Sequence, residues 1–216
     1  HINQAAYVDL PLVVHTLRAS FAALGLFRDE AFLHSELQPA TIGWQYRDLH
    51  ADKVIFCEGA AMQENPWFKN LPLKPAKGET LLCQSPTLRL PQKLYHHKKW
   101  FLPYPDGSCR IGASYDESDL SDAPTEGKKD ELLTAAREAL KEPHQVEVTA
   151  HLAGIRPSTL DSRPIIGAHP TELGLYLING LGSKGASTAP SMTQQLTDHI
   201  LKKSTIDNEV NLARFD

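Results

Sequence analysis

The chain has 216 residues, of which 41% are hydrophobic and 22% are charged, and its formal net charge is −4. This composition is typical of one large globular domain or two small ones. The charge balance counts against nucleic acid or an anionic membrane surface as a partner. No apolar run is as long as a membrane helix, and the opening HINQAAYVDL lacks the basic and apolar regions of a signal peptide.

The three cysteines, Cys57, Cys83 and Cys109, are odd in number and far apart in the sequence. They fit reduced thiols better than a disulfide framework, so we predict a cytoplasmic protein. No group of cysteines and histidines has the spacing of zinc ligands. We therefore predict no metal site, and we interpret the run 96–99 (HHKK) as solvated charge at a hairpin edge.

The first predicted helix is LPLVVHTLRASFAALG, with apolar residues at helical spacing. Asp9 suits its N-cap, Pro11 is tolerated in its first turn, and Gly25 is a good stop. Residues 32–37 and 41–46 have weak strand patterns. The clearer run at 54–57 in DKVIFCEG is continuously apolar and predicts a strand buried on both faces.

The middle of the sequence predicts strands and one helix. KGETLLC reads as a strand, and KLYHHKKWFLPYPDGSCRIGAS reads as a hairpin that turns at Pro105–Gly107. Residues 124–141 form an amphipathic helical pattern, and residues 145–152 a strand pattern. GLYLIN then predicts a buried strand, and GASTAPSMTQQLTDHILKK the last helix, followed after Ser204 by a polar tail that we expect to be loose. These elements predict a mixed α/β or α+β fold.

The glycine string Gly180-Leu181-Gly182-Ser183-Lys184-Gly185 follows a predicted strand and has the pattern G-x-G-x-x-G. A dinucleotide-binding loop needs a whole βαβ unit and an acidic residue about 20 positions later. Only one helix and a polar tail follow here, so we do not interpret the string as the usual pyrophosphate loop. Two interpretations stay open. The string is a tight turn between strand and helix, or its helix N-terminus holds an anionic group.

The segment upstream carries a more specific pattern. Residues 154–167 read G-x-R-P-x-T-x-D-x-x-P-x-I-G, and G-x-G-S-x-G and Ala-Pro follow after a short strand. This order resembles the C-terminal signature of the FAD-dependent D-amino acid oxidase superfamily, which includes glycine oxidases, sarcosine oxidases and D-amino acid dehydrogenases. Three other stretches are similar to elements of that family: ADKVIFCEG, Lys77–Glu79 and WFLPYPDGSCRIGAS. The glycine string also looks like that of the flavin-oxidase half of a bifunctional tRNA wobble-uridine modification enzyme.

The resemblance implies a mixed-sheet substrate-binding domain plus the C-terminal part of an FAD-binding domain. It divides the chain into the start of the substrate domain with a linking helix (1–50), a strand returning to the flavin domain (51–60), the substrate-binding domain with hairpin and helix (61–150), a C-terminal flavin-domain segment (151–203) and a tail (204–216). The family's pyrophosphate fingerprint lies near the N-terminus, and this sequence has none there. We therefore expect a C-terminal fragment, preceded in its parent by about 130–180 residues.

The resemblance also implies site residues. Arg156 corresponds to the arginine that binds the substrate carboxylate, and Trp100 lies where a substrate-contacting tyrosine is common; an aromatic wall and a core aromatic are both open for Trp100. Asp161 is expected to cap a turn. The residues implied to line the cofactor are Glu58, Gly59, Gly154, Ile155, Gly180, Leu181, Gly182, Ser183, Lys184 and Gly185. The role of Glu58 has no assignment, because small residues are usual at that point in the family.

The implied activity is oxidation of an amine or amino acid by hydride transfer to FAD, with a small amine or amino acid as substrate. We expect the 216 residues alone to be inactive and to bind no FAD. One alternative is the flavin-oxidase domain of a tRNA wobble-uridine modification enzyme, although tRNA binding normally needs a basic face. A second alternative is a binding module without flavin or catalysis.

Overall fold

The computed structural model describes residues 7–85, 93–140 and 146–215. The chain forms two compact units. One, here called the discontinuous unit, comprises His1–Leu71 and Pro164–Asp216. The other, the central unit, comprises Pro72–Arg163. Helices and strands occur together in the chain, which confirms the predicted mixed fold class.

The discontinuous unit begins with helix α1 (Leu10–Ala23), as the sequence predicts. The Asp9 side chain caps the helix by accepting the Leu12 N–H at 3.1 Å. A small antiparallel sheet follows in the order β1 (Leu37–Pro39), β2 (Trp44–Tyr46) and β3 (Leu49–Ala51), and β4 (Val54–Phe56) comes next. The strand predicted at 32–37 is wrong in most of its length, because His34–Glu36 form a 3-10 turn.

The central unit is a five-stranded antiparallel sheet covered on one face by a helix. The strand order is β6 (Tyr95–His97), β7 (Lys99–Pro103), β8 (Ser108–Gly112), β5 (Ala76–Gln84) and β9 (Glu147–Arg156). Helix α2 (Glu126–Leu140) packs against the sheet, and the buried side chains of this core are Leu81, Cys83, Phe101, Cys109, Ile111, Leu132 and Ala136. The predicted last residue of the helix, Lys141, and the predicted first residue of the next strand, Gln145, lie outside the described residues.

The predicted hairpin is confirmed and has one more strand than expected. Strands β7 and β8 pair across the turn that contains Gly107, whose φ of +83° is a conformation that glycine adopts easily. The chain also reverses at Lys98, so that β6 and β7 form a second hairpin. The three cysteines are free thiols, as expected from their spacing.

The chain returns to the discontinuous unit as β10 (Ile165–Ala168), β11 (Leu175–Asn179) and helix α3 (Gly185–Lys202). The sheet order is β10-β11-β4, in which β11 pairs antiparallel with β10 and parallel with β4. Helix α3 buries Met192 and Leu196 in a core with Ile166. In the part of the chain that the structure describes, no helix is long and apolar enough to span a membrane.

Two expectations for this unit are wrong. Strand β4 is not buried on both faces, because it pairs only with β11 among the described strands and leaves the Ile55 side chain 46% exposed. The polar tail is not loose. Ile206, Val210 and Leu212 are buried, and the Ile166 N–H donates to the Val210 carbonyl at 2.9 Å. Their apolar side chains are spaced irregularly among polar ones, so no periodic pattern marks the segment.

Candidate functional site

The two faces of the five-stranded sheet follow from strand alternation and register. Along β5, Lys77, Glu79, Leu81 and Cys83 point toward α2, and Gly78 and Thr80 point to the other side. Residues directly opposite each other on neighbouring strands share a face. The side opposite α2, here called the far face, therefore carries Arg156, Ala76, Gly78, Gly154, Thr80, Gly112, Trp100, Leu82, Arg110 and Leu102.

Arg156 ends β9 with its guanidinium lying over Gly78. Nη1 donates to the carbonyls of Lys77 and Ser114, and Nη2 also donates to Ser114, each at 3.3 Å. A Cβ atom added at Gly78 would lie 2.0–2.2 Å from the guanidinium atoms of Arg156. The Tyr115 ring centroid lies 5.9 Å from Cζ of Arg156, which is a cation–π distance. Only glycine at position 78 therefore lets the guanidinium rest on the strand in this way.

The Arg156 guanidinium has no carboxylate partner among the described residues. The side chain is half-buried, and burial lowers the pKa of Arg156 from its ordinary value. Arginine nevertheless stays protonated near neutral pH. No carboxylate of the described residues lies within 4 Å of it, since its hydrogen bonds go to carbonyl groups. A guanidinium with carbonyl partners alone still has the capacity to form charge-assisted hydrogen bonds with an anion.

Trp100 lies on the same face as Arg156. It stands opposite Gly112, and a Cβ atom at Gly112 would lie 2.5 Å from Cζ2 of the indole and 2.7 Å from Cγ2 of Thr80. The ring is therefore held over a glycine, as the Arg156 guanidinium is. Trp100 is half-buried and is not one of the side chains of the α2 core, and its role as an aromatic wall stays a prediction.

A buried ionic network under the sheet fixes the loop that contacts Arg156. Lys77 Nζ donates to Asp119 Oδ2 at 2.6 Å, to Ser121 Oγ at 3.1 Å and to the Ala123 carbonyl. It also lies 3.6 Å from Glu79 Oε1. The Lys77 hydrogen bond lowers the pKa of Asp119 to about 2.

Glu79 joins this network to helix α2 and to the arginine loop. Its carboxylate accepts the Thr125 N–H at 2.9 Å and the Thr125 hydroxyl at 3.0 Å, at the start of the helix. Its backbone N–H donates to Ser114 Oγ at 2.9 Å. Nε2 of His151 lies 2.7 Å from Glu79 Oε2 without hydrogen-bond alignment. The sequence marked Lys77–Glu79 only through a resemblance and missed this positioning role.

A second group of implied site residues lies in the discontinuous unit, at the carboxyl ends of the parallel strands β4 and β11. Asn179 Nδ2 donates to the Gly59 carbonyl at 2.9 Å, and Asn179 Oδ1 accepts the Gly180 N–H at 2.8 Å. Gly59, Gly180 and Gly182 all have positive φ, at +59°, +70° and +52°. A 3-10 turn (Gly182–Lys184) then leads into α3. The predicted order of strand, glycine turn and helix is confirmed, and no further strand element follows α3 within residues 203–215.

Glu58 has a structural role that the sequence did not reveal. Its Oε1 lies 2.6 Å from Nε2 of His34, and its Oε2 accepts Nδ2 of Asn65 at 2.7 Å. Asn65 is fully buried, and its Oδ1 accepts the N–H groups of Trp67 and Phe68. Both oxygens of Glu58 therefore have partners within the protein. Its implied contact with a cofactor stays a prediction.

The structure thus sorts the implied site residues into two groups, one in each unit. Arg156, Trp100 and Gly154 share the far face, whereas Ile155 stands opposite Lys77 on the α2 side. Glu58, Gly59 and residues 180–185 belong to the discontinuous unit. Asp161 accepts the Arg163 N–H at 3.1 Å, which confirms the expected turn. Within the described ranges, His, Cys, Asp and Glu side chains form no group of three that could hold a metal ion.

Comparison with known proteins decides the family. The family model described as FAD dependent oxidoreductase (DAO) matches residues 1–199. The chain belongs to this family.

This DAO-family chain is 29% identical over 206 residues to a glycine oxidase from Pseudomonas aeruginosa, covering 92% of the chain and 57% of that relative. It is 30% identical over 184 residues to the tRNA 5-methylaminomethyl-2-thiouridine biosynthesis bifunctional protein MnmC of Marinobacter nauticus, covering 78% of the chain and 28% of that relative. The crystal structure of glycine oxidase from Geobacillus kaustophilus superposes with a TM-score of 0.65 at 27% identity, covering 74% of the chain and 44% of that structure. The chain spans about half the length of the curated glycine oxidases it matches.

The residues at the ends of β4 and β11 fit part of the family's cofactor, FAD. Glycines with positive φ follow both strands, and glycine lets a ligand approach the backbone closely. The first N–H groups of a helix have no partner inside the helix, and its N-terminus favours negative charge. The turn 180–185 and the start of α3 therefore suit the electron-rich edge of a flavin ring, and Gly59 suits close packing beside it.

Proposed function

We propose that the protein containing this chain oxidises an amine or an amino acid, and that Arg156 binds the carboxylate of its substrate. The observation that carries this proposal is the partly buried Arg156 guanidinium, which has carbonyl partners but no carboxylate within the described residues. Bound FAD supplies the acceptor for a hydride from the carbon beside the amine. The protein residues bind and orient that carbon.

The hydrogen bonds of Arg156 leave a suitable pair of donors. A guanidinium has five N–H groups. Two on Nη1 and one on Nη2 point to the carbonyls of Lys77 and Ser114. The remaining Nε–H and Nη2–H form one parallel fork, which matches the two oxygens of a carboxylate. The carbonyl contacts thus fix the plane of the guanidinium and leave its binding edge available.

Trp100 shapes the same face without acid–base chemistry. Indole donates one hydrogen bond and does not act as an acid. We propose that it forms an apolar wall beside the substrate and limits access of water. A general base is not required on this face if the amine arrives neutral.

The test uses the FAD-loaded protein that contains this chain, not the 216 residues alone. Reduction of its bound flavin by a panel of amines and amino acids is measured anaerobically from the flavin absorbance. Arg156→Leu should weaken binding of carboxylate substrates by about 2–4 kcal/mol, the scale for removing one partner of a desolvated charge pair. FAD content should stay unchanged, and Arg156→Lys should recover part of the affinity. Equal binding of carboxylate inhibitors by Arg156→Leu and the parent would show that the assignment is wrong.

A second candidate is oxidation of a modified wobble uridine in tRNA. The 30% identity to MnmC and the GLGSKG string favour it. The net charge of −4 counts against it, because RNA binding is driven by phosphate contacts to basic residues. Flavin reduction by tRNA carrying the modified uridine, with binding that weakens steeply as salt rises, would favour this candidate over a free amino acid.

We also propose that the 216 residues alone are inactive and bind no FAD. The residues that fit the cofactor lie at a helix N-terminus and at two glycine turns. A helix terminus contributes about 0.3–2 kcal/mol toward an anion, whereas micromolar binding requires about 8 kcal/mol. Calorimetric titration of the chain with FAD tests this, and stoichiometric micromolar binding would contradict it.

A further inference from the structure

A second arginine lies on the far face with no carboxylate partner among the described residues. Arg110, in β8, stands opposite Leu82 on one neighbouring strand and Leu102 on the other. Its side chain is half-buried, and its Nε atom is enclosed with no hydrogen-bond partner. In the described ranges, no carboxylate lies within 4 Å of its guanidinium. A desolvated N–H without an acceptor is unfavourable, so Arg110 is a cation whose hydrogen-bonding capacity the described residues leave unused.

Other cations of the same sheet are paired. Lys99 Nζ lies 2.6 Å from Glu131 and Lys98 Nζ lies 2.7 Å from Glu138, both on α2. Lys77 Nζ lies 2.6 Å from Asp119. Helix α2 and the loop before it thus supply carboxylates for these lysines, whereas Arg110 and Arg156 have none within the described parts of the chain.

The register gives the separation of these two arginines. Arg156 stands opposite Ala76, and Arg110 stands opposite Leu82, six residues further along β5. At about 3.3 Å per residue, the two backbone positions are about 20 Å apart along the strand. Along the strand direction Trp100 lies at an intermediate level, beside Gly112 and Thr80, but on β7, which is separated from Arg156 by β8 and β5. Its indole reaches over Gly112 of β8, the strand that carries Arg110.

We infer that Arg110 is a second anion-binding residue and that the substrate is an elongated molecule with an anionic group at each end. One end is the carboxylate next to the oxidised amine, at Arg156, and this part rests on the proposed function. The other end is a carboxylate or a phosphate, at Arg110. The linking part of the substrate passes beside the Trp100 indole, which reaches over Gly112 of β8. Free glycine is too short to use both arginines, so it is a poorer substrate than an amino acid with a long anionic substituent on its nitrogen.

The experiment compares three sets of N-substituted glycines with the FAD-loaded protein: N-alkylglycines, N-(ω-carboxyalkyl)glycines and N-(ω-phosphoalkyl)glycines of matched, increasing length. Arg110→Leu should lower kcat/KM for the two anionic sets by roughly tenfold or more and leave the N-alkyl set unchanged. Arg110→Lys should restore part of the loss. Arg137→Leu removes an exposed arginine from α2 and should affect no set. The ratio between the carboxylate and phosphate sets identifies the second anion.

An equal response of charged and uncharged sets to Arg110→Leu, or no response, would overturn the inference. If the parent oxidises neither these compounds nor any of the amines and amino acids in the panel above, the proposed function fails, and binding then tests Arg110 separately. Calorimetric titration with α,ω-dicarboxylates and monocarboxylates of equal length should show tighter binding of the dicarboxylates, and Arg110→Leu should abolish the difference. Equal affinity for both classes in the parent would count against Arg110 without reference to oxidation.

Discussion

The two faces of the five-stranded sheet differ in how they accommodate charge. Under α2, Lys77 and Glu79 are each only 1% exposed, and Asp119, Ser121 and Thr125 supply their partners. On the far face, Arg156 and Arg110 are half-buried and have no carboxylate nearby within the residues described.

The difference separates charges that have partners within the fold from two arginines that have no carboxylate among the described residues. A buried ion with a full set of partners stabilises one conformation, and removing one partner leaves the other buried and uncompensated. A partly buried cation without a counter-ion can bind an external anion through strong, charge-assisted hydrogen bonds. Substitutions on the two faces should therefore change different measured quantities.

The largest expected effect is on the α2 side. Glu79→Met should lower the free energy of unfolding by about 3–5 kcal/mol, because it leaves Lys77 with one carboxylate fewer and the Thr125 N–H without an acceptor. Urea denaturation measures this. Arg156→Leu is the matched control on the far face and should change stability by only about 1 kcal/mol. If the two variants lose equal stability, the distinction between the faces does not hold.

A smaller effect is expected at the glycine under the arginine. Gly78→Ala should displace the Arg156 guanidinium, because the new methyl group would occupy its position. Carboxylate inhibitors should bind the FAD-loaded variant about tenfold more weakly, or about 1.4 kcal/mol. Stability should change little, since the end of a flexible side chain is what has to move. Gly127→Ala, where a Cβ meets nothing within 4 Å, is the control. Unchanged inhibitor affinity in Gly78→Ala would contradict the role of the glycine.

The smallest effect concerns acid stability. The hydrogen bond from Lys77 holds the pKa of Asp119 at about 2, below the value of about 3.9 in an unfolded chain. The native state therefore binds fewer protons than the unfolded state. Asp119 contributes stability above about pH 4 and loses that contribution as the pH falls toward about 2. Asp119→Asn should flatten the pH dependence of the urea midpoint in this window. A slope identical to that of the parent would show that the ion pair adds nothing.

The sequence predicts elements well where periodicity is local. Alternation at Leu81 and Cys83 marks β5, and the turn residues before Ser108 mark the hairpin. The family resemblance, in turn, identifies Arg156. Both signals come from short stretches whose meaning does not depend on a distant partner.

The supporting contacts could not be predicted in this way. Glu79 meets Thr125 across 46 positions, and Glu58 meets His34 across 24. Such pairs exist only once strand register and loop path are fixed. Gly78 is part of a predicted strand, and nothing in the sequence shows that it leaves room for the guanidinium of Arg156, since its φ is not positive and the contact is with a distant residue.

The packed C-terminal segment has a consequence for association between molecules. Strand β10 is an edge of its sheet, and the parallel bridge from Ile166 to Asn211 covers part of that edge. Exposed strand edges pair readily with other chains. A chain cut after Lys203 would uncover the backbone of Ile166 together with the apolar surface that Ile206 and Val210 shield. Shortening this end would thus expose a strand edge that is now partly covered, and we expect it to promote aggregation.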